Sequence, residues 1–173
     1  MRMLVESHSS CYCFSSFFFT AVNRNNSYNY KEVTRWTTKV LWSNYGKILF
    51  PLNIENVHWA LVVVYLNLQQ IHYYDSMNHS GAKFLDIVFK WLTDEMQHKQ
   101  LSINIIDWKL LDTSDITFVP KQSNGFDCGI YTIVAADFIC NDRPLQNGYS
   151  QSDMPAYRQK IANDILGGVI TKK

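Results

Sequence analysis

The sequence predicts an α+β fold, and three observations support this class. The chain has 173 residues, is 47% hydrophobic and contains only 7 glycines and 4 prolines, which suits one domain with its own core. Segments with the apolar period of a strand occur together with segments that have the period of a helix. The two kinds do not alternate regularly, which favours α+β over repeated βαβ units.

The first half of the chain contains most of the predicted strands. Residues 28–41 are predicted to form a short amphipathic helix, and residues 48–52 a strand. Residues 58–66, HWALVVVYL, are β-branched and aliphatic, which is typical of a buried central strand. Residues 70–75 follow after a hairpin-like separation, so we expect antiparallel pairing between these two strands. Residues 1–16 are polar and contain two cysteines, and no pattern assigns them to an element.

The second half is predicted to be mainly helical. Residues 82–97 have apolar side chains at spacings of three and four, which indicates an amphipathic helix. A further strand is predicted at residues 104–111. Residues 128–140, CGIYTIVAADFIC, are apolar on nearly all sides, which is typical of a buried helix. The sequence Ser-Asp-Met-Pro at residues 152–155 starts a last helix that extends to Gly167.

The charge balance limits the classes of partner. With 16 Lys and Arg against 15 Asp and Glu, the net charge of +1 argues against binding to nucleic acid or to an anionic membrane surface. The longest apolar stretch, residues 11–22, is too short to span a bilayer. A signal peptide is disfavoured by Glu6 and His8 ahead of that stretch. We therefore expect a monomer that has no nucleic-acid or membrane partner.

The four cysteines are too few for a disulfide-stapled secreted domain, so the sequence predicts free thiols in a reducing compartment. His8, Cys11 and Cys13 resemble half of a zinc site, but no second pair of ligands accompanies them. We expect no metal and no cofactor.

Cys128 is the first candidate for chemistry. It lies between a polar, Gly-containing loop and the predicted buried helix. The positive end of a helix dipole favours the thiolate, which is the nucleophilic form of cysteine. Asp127 is expected to cap the same helix. The alternative is an inert buried cysteine, which is the usual fate of a free thiol.

A nucleophilic cysteine needs a base, and His58 and Asp75 are suitably placed. His58 starts the most apolar strand, and Asp75 ends the next one. If these strands are antiparallel, both residues lie at the same edge of the sheet, where the carboxylate orients the imidazole. The alternative is a histidine bonded to the backbone and an aspartate that forms a turn.

Gln122 and Trp59 complete the candidate site. Gln122 lies six residues before Cys128, close enough to donate to an oxyanion together with the Cys128 N–H. Trp59 follows His58 and is expected on the opposite face of the strand. The alternatives are a solvated glutamine and a tryptophan that only packs in the core.

Five segments together resemble the catalytic domain of ubiquitin-like-protein-specific cysteine proteases, the sentrin/SUMO-specific protease family. The resemblance extends from about Phe17 to Leu166. The segments are YKEVTRWTTKV (30–40), NIENVHWALVVV (53–64), HYYDSM (72–77), PKQSNGFDCGIYT (120–132) and MPAYRQKIANDIL (154–166). The DCG sequence with glutamine six residues before the cysteine is the most specific of these features.

The resemblance implies a papain-like cysteine protease fold, with the nucleophile at the N-terminus of a central helix and the His and Asp on a mixed or antiparallel sheet. It implies that Cys128 is the nucleophile, His58 the base, Asp75 the orienting acid and Gln122 the oxyanion donor. The residues assigned to substrate binding are Trp59, which would cover a Gly-Gly tail, and Trp36, Asn124 and Gly125.

The resemblance also implies a function and a domain division. The function is that of a thiol protease or isopeptidase that cleaves after the C-terminal Gly-Gly of a SUMO-like modifier, in the nucleus and/or cytoplasm. Residues 1–16 do not resemble the family's upstream Trp-Leu segment, so we expect an unplaced segment followed by a catalytic domain, residues 17–173, that lacks the usual N-terminal part. The alternatives are a deconjugase for another modifier such as NEDD8, a catalytically impaired modifier-binding domain, and an acyltransferase.

Overall fold

The centre of the fold is a five-stranded sheet. The structure is a computed structural model that describes residue 8, residues 10–102, residue 104 and residues 107–170. The strands lie in the order of the chain: β1 (Cys11–Cys13), β2 (Lys47–Ile54), β3 (His58–Tyr65), β4 (Gln70–Tyr74) and β5 (Lys109–Leu111). The two central pairings, β2–β3 and β3–β4, are antiparallel, and both outer strands pair in parallel. The sheet is therefore mixed, as the sequence predicts.

Helices cover both faces of this sheet. The helices are α1 (Phe18–Val22), α2 (Ala82–His98), α3 (Cys128–Cys140) and α4 (Met154–Gly167). The strand residues Phe50, Val62 and Val64 pack with Trp91 and Leu92 of α2. In the described part of the chain, no helix combines the length and the apolar composition that a membrane span requires.

The opposite face of the sheet carries α3. Leu49, Leu61 and Val63 pack with Val134 and Ala135 of this helix, since side chains alternate between the faces of a strand. Strand β3 is thus buried on both sides, which explains its continuous apolar sequence. Helix α4 adds Met154 to the same cluster, so α3 lies between the sheet and α4. The predicted buried helix and the α+β class are confirmed.

The predicted helix at residues 28–41 is wrong. The segment consists of short 3₁₀ turns, among them Tyr30–Glu32 and Thr34–Thr37. Its side chains tie it to α2, because the Tyr28 hydroxyl donates to Asp94 at 2.6 Å and the Tyr30 hydroxyl donates to Glu95 at 2.7 Å. These long-range hydrogen bonds, together with the low helix propensity of Val and Thr, outweigh the apolar spacing that predicted an α-helix.

The two outer strands also differ from the sequence-based expectation. Strand β1 lies in the segment that the sequence left unplaced, and three residues are too few for a detectable period. The strand predicted at residues 104–111 is shorter, since β5 covers only Lys109–Leu111. Residues 105 and 106 of that prediction lie outside the described residues.

Candidate active site

The three candidate catalytic residues each lie at the end of an element. His58 is the first residue of β3, Asp75 follows the last residue of β4, and Cys128 is the first residue of α3. The antiparallel pairing of β3 with β4 places His58 and Asp75 at the same edge. The start of helix α3 packs against β3 at Trp59. A Cβ added to Gly129 would lie 3.5 Å from Trp59 Cδ1. Cys128 and His58 are the chain neighbours of these two residues, and direct contact between the thiol and the imidazole stays a prediction.

His58 and Asp75 form a buried hydrogen-bonded pair. His58 Nε2 lies 2.8 Å from Asp75 Oδ1, and the side chains are 9% and 0% exposed. A carboxylate only accepts hydrogen bonds, so Nε2 carries the proton and Nδ1 keeps the lone pair. This tautomer leaves Nδ1 as the ring nitrogen that can accept a proton from a thiol.

The Asp75 carboxylate is held by further donors. The Met77 N–H donates to Oδ1 at 2.7 Å, while the His79 N–H and the Tyr73 hydroxyl donate to Oδ2 at 3.2 and 3.3 Å. Burial and the adjacent Asp75 charge raise the pKa of Tyr73, which keeps this phenol a proton donor. Several donors on one buried carboxylate fix its orientation toward His58.

A second imidazole lies on the same carboxylate. His79 Nδ1 is 3.2 Å from Asp75 Oδ2, and the side chain of His79 is 59% exposed. The rings of His58 and His79 are perpendicular, with their centroids 5.3 Å apart. The sequence analysis assigned no role to His79, because its spacing along the chain carries no ligand signature.

Gln122 is oriented by the residue that follows Asp75. The Ser76 hydroxyl donates to Gln122 Oε1 at 2.6 Å, and the Gln122 N–H donates to the Ser76 carbonyl at 3.0 Å. Because Oε1 accepts from Ser76, Nε2 is the opposite end of the amide, and one of its hydrogens goes to the Asn124 carbonyl. The amide has a second hydrogen on Nε2, and its donation to an oxyanion near Cys128 stays a prediction.

The predicted capping role of Asp127 is wrong. Its carboxylate makes no capping bond to α3 and instead accepts from Asn124 Nδ2 and Gln151 Nε2, both at 2.7 Å, and pairs with Arg158. The hydrogen bond from Asn124, with those from Arg158 and Gln151, lowers the pKa of Asp127 despite burial. The first N–H groups of α3 are therefore not used by this carboxylate and can serve an anion.

The four predicted substrate-binding residues do not all lie in one place in the structure. Trp59 is at the site and lies on the face of α3, as its alternation with His58 predicted. Asn124 organises the loop, since its Oδ1 accepts from the backbone N–H groups of Phe126 and Asp127. Gly125 is exposed, and an added Cβ would meet no atom within 4 Å. The contact of these residues with a substrate stays a prediction.

Trp36 lies elsewhere. Its ring centroid is 6.5 Å from that of Phe14 and 6.3 Å from that of Phe18, in the aromatic cluster on the α2 side of the sheet. None of the contacts given for the described residues joins Trp36 to Cys128 or His58. Its assignment to substrate binding likewise stays a prediction.

Comparison with known proteins places this site in a family. Residues 2–168 match the model of the Ulp1 protease family, C-terminal catalytic domain. Human sentrin-specific protease 2 is 34% identical over 172 residues, which cover 96% of this chain and 28% of the human protein. Ubiquitin-like-specific protease 1A of Arabidopsis thaliana is 33% identical and is matched over 90% of this chain and 31% of its own length.

A solved structure is similar to this chain in both fold and sequence. The C-terminal Ulp1 protease domain in complex with Smt3, the yeast ortholog of SUMO, superposes with a TM-score of 0.82 at 29% identity, over 99% of this chain and 74% of that one. The chain thus spans about 30% of the length of these curated relatives and most of the solved domain. It belongs to the Ulp1 protease family and corresponds to its C-terminal catalytic domain.

Proposed function

We propose that this chain is a cysteine-type peptidase and isopeptidase that cleaves after the C-terminal Gly-Gly of a SUMO-like modifier. The observation that carries the proposal is the buried 2.8 Å pair of His58 and Asp75, together with Cys128 at the start of α3, where the next residue, Gly129, lies against Trp59. The choice of modifier is supported by the yeast Ulp1 domain, which was solved in complex with a SUMO ortholog.

In this proposal, each group has one step in the reaction. His58 Nδ1 takes the proton of the Cys128 thiol, and the thiolate attacks the carbonyl carbon of the terminal glycine. The resulting oxyanion accepts from Gln122 Nε2 and the Cys128 N–H. The imidazolium then protonates the departing amine, which leaves a thioester. His58 activates a water molecule that hydrolyses this thioester and releases the modifier with a free C-terminus.

Asp75 orients the imidazole through this cycle. Its hydrogen bond to His58 Nε2 retains the productive tautomer and stabilises the imidazolium when it forms. The selection of glycine is assigned to Trp59, which lies against Gly129 next to the nucleophile. In this proposal a slot covered by this indole admits only glycine at the last two positions of the modifier, because any Cβ there would clash.

The proposal includes the partner and the compartment. The partner is the modifier with its protein conjugates, bound by a monomer, and the compartment is the reducing nucleus and/or cytoplasm. All four cysteines are free thiols in the structure, and a reducing compartment keeps Cys128 in the reduced form that a nucleophile requires.

The test is cleavage of modifier–reporter fusions by the purified chain. We expect release of the reporter from SUMO, little release from NEDD8 or ubiquitin, and no release by Cys128→Ala. Cys13→Ala is the matched control and should retain activity, because Cys13 lies in β1 and has no role in the cycle. Activity in Cys128→Ala would disprove the nucleophile, and a preference for NEDD8 or ubiquitin would disprove the modifier.

A covalent probe separates an enzyme from a binding domain. SUMO with an electrophilic C-terminus should form an adduct with the wild-type chain, and mass spectrometry should place it on Cys128. Binding of the probe without an adduct would show a domain that docks the modifier but has no reactive thiol.

A further inference from the structure

The geometry points to an inhibitory Zn²⁺ site formed by His58, Asp75 and His79, in which metal binding prevents the His58 imidazole from acting as the base. The effect on activity rests on the proposed function, whereas binding of the metal does not. The sequence analysis found no metal site, because these ligands come from the start of β3 and from the turn after β4 and show no ligand spacing along the chain.

Each imidazole already lies near one oxygen of the Asp75 carboxylate, at about the separation that two ligands of a tetrahedral ion have. One atom from each residue can be chosen so that all three lie within 4.8 Å of one another. His58 Nε2 is 2.8 Å from Asp75 Oδ1, and His79 Nδ1 is 3.2 Å from Asp75 Oδ2. Ligands bound to one tetrahedral Zn²⁺ at their usual bond lengths are about 3.3 Å apart. Only small side-chain movements separate this arrangement from a coordination sphere.

The ring geometry agrees with the same arrangement. Two imidazoles on one tetrahedral zinc ion have centroids about 5 Å apart, and those of His58 and His79 are 5.3 Å apart. Two imidazoles and one carboxylate are a donor set that Zn²⁺ accepts, with a fourth position left for water. The second shell is present, because the Met77 N–H and the Tyr73 hydroxyl hold the carboxylate.

Access and charge set the properties of the site. Asp75 is fully buried, so an ion enters past His79, whose side chain is 59% exposed. The Lys121 ammonium group lies 3.3 Å from the Asp75 carbonyl oxygen and bonds Asn78 at 2.7 Å, and its positive charge weakens cation binding. We therefore expect reversible, moderate affinity rather than that of a structural zinc site.

The consequence for catalysis follows from the tautomer of His58. In the active arrangement Nε2 carries the proton and Nδ1 is the base. Zinc at Nε2 displaces that proton, and the neutral ring then carries its proton on Nδ1 and cannot accept one from Cys128. Inhibition needs no contact between the metal and the thiolate, and a chelator should reverse it.

The first test is Zn²⁺ titration of SUMO–reporter cleavage. His79→Gln removes the third ligand while it leaves His58 and Asp75 in place, and it should raise the inhibitory Zn²⁺ concentration at least tenfold. His98→Gln, at the end of α2, is the matched control and should be inhibited like the wild type. EDTA should restore the activity. Equal inhibition of the wild type and His79→Gln would overturn the proposal and assign the metal to Cys128 and His58 alone.

The second test measures binding without catalysis. Titration calorimetry with Zn²⁺ on Cys128→Ala excludes the thiolate, and we expect one site that weakens at least tenfold in Cys128→Ala/His79→Gln. Absence of this difference would overturn the site. If the metal-free wild-type chain cleaves no reporter, the proposed function fails, and calorimetry still decides whether the three residues bind zinc.

Discussion

The Ser76 hydroxyl lies 2.6 Å from Gln122 Oε1 and joins two parts of the site that are far apart in the sequence. Ser76 follows the acid of the catalytic pair directly, and Gln122 belongs to the loop before the nucleophile. The same two residues are also joined by a backbone hydrogen bond of 3.0 Å. The position of Gln122, the proposed oxyanion donor, is thus tied to the position of Asp75.

Ser76→Ala should lower kcat about tenfold and leave KM nearly unchanged. Loss of the hydroxyl frees the Gln122 amide to rotate, and a misplaced oxyanion donor weakens the transition state more than the bound substrate. Steady-state cleavage of a SUMO reporter measures both constants. Ser76→Thr should restore kcat. Ser123→Ala, in the loop that contains Gln122, should leave both constants unchanged. A rise in KM alone would contradict this role.

Asp75→Asn should lower kcat by about a thousandfold or more while the chain stays folded. The amide is similar in size but no longer enforces a proton on His58 Nε2, so the wrong tautomer faces the thiol. Single-turnover cleavage measures the loss, and circular dichroism checks the fold. His72→Gln is the control, because His72 bonds Gln70 and Tyr74 away from the catalytic pair. A loss below tenfold would argue against Asp75 as the orienting group.

Elements with a clear apolar pattern could be predicted from the sequence, and so could the candidate residues at the ends of these elements. The run HWALVVVYL predicted β3, and the all-apolar CGIYTIVAADFIC predicted α3. Antiparallel pairing of β3 with β4 then brings His58 and Asp75 together, as expected from their positions at the ends of the two strands.

The rest of the site depends on side-chain contacts between distant segments. Ser76 reaches Gln122 across 46 positions, and Arg158 reaches Asp127 across 31. No spacing rule encodes such pairs, because the fold must exist before the residues meet. The same reason applies to Asp127. Its residue type and its position before α3 predict a helix cap, but its carboxylate accepts hydrogen bonds from Asn124 and Gln151.

Asp127→Asn should destabilise the chain by about 2 kcal/mol at pH 7, because it leaves buried donors and the Arg158 partner without a carboxylate. The pKa of Asp127 is lowered in the folded state, mainly by the Asn124 hydrogen bond. Its contribution is therefore complete above the ordinary pKa of an aspartate and is lost as the pH falls through the folded-state pKa.

Urea unfolding at pH 7, 5 and 3 tests this dependence. The difference in the free energy of unfolding between the wild type and Asp127→Asn should shrink at the acid end of the series. Asp86→Asn is the control, because the exposed Asp86–Lys90 pair on α2 should contribute less than about 0.5 kcal/mol. A difference that is constant with pH would show that the charge of Asp127 is not what stabilises the loop.

Gly81→Ala should destabilise the chain by about 3 kcal/mol and also lower its activity. A Cβ at this position would lie 2.1 Å from Tyr73 Cγ, and the ring cannot yield easily because Tyr73 is fully buried. Displacement of Tyr73 also moves its hydroxyl away from Asp75. Thermal unfolding and reporter cleavage measure the two effects. Gly125→Ala is the matched control and should leave stability unchanged, since its Cβ meets no atom within 4 Å. Equal stability of the two variants would contradict the close contact between Gly81 and Tyr73. It would also argue against the role of the Tyr73 hydroxyl in holding the Asp75 carboxylate.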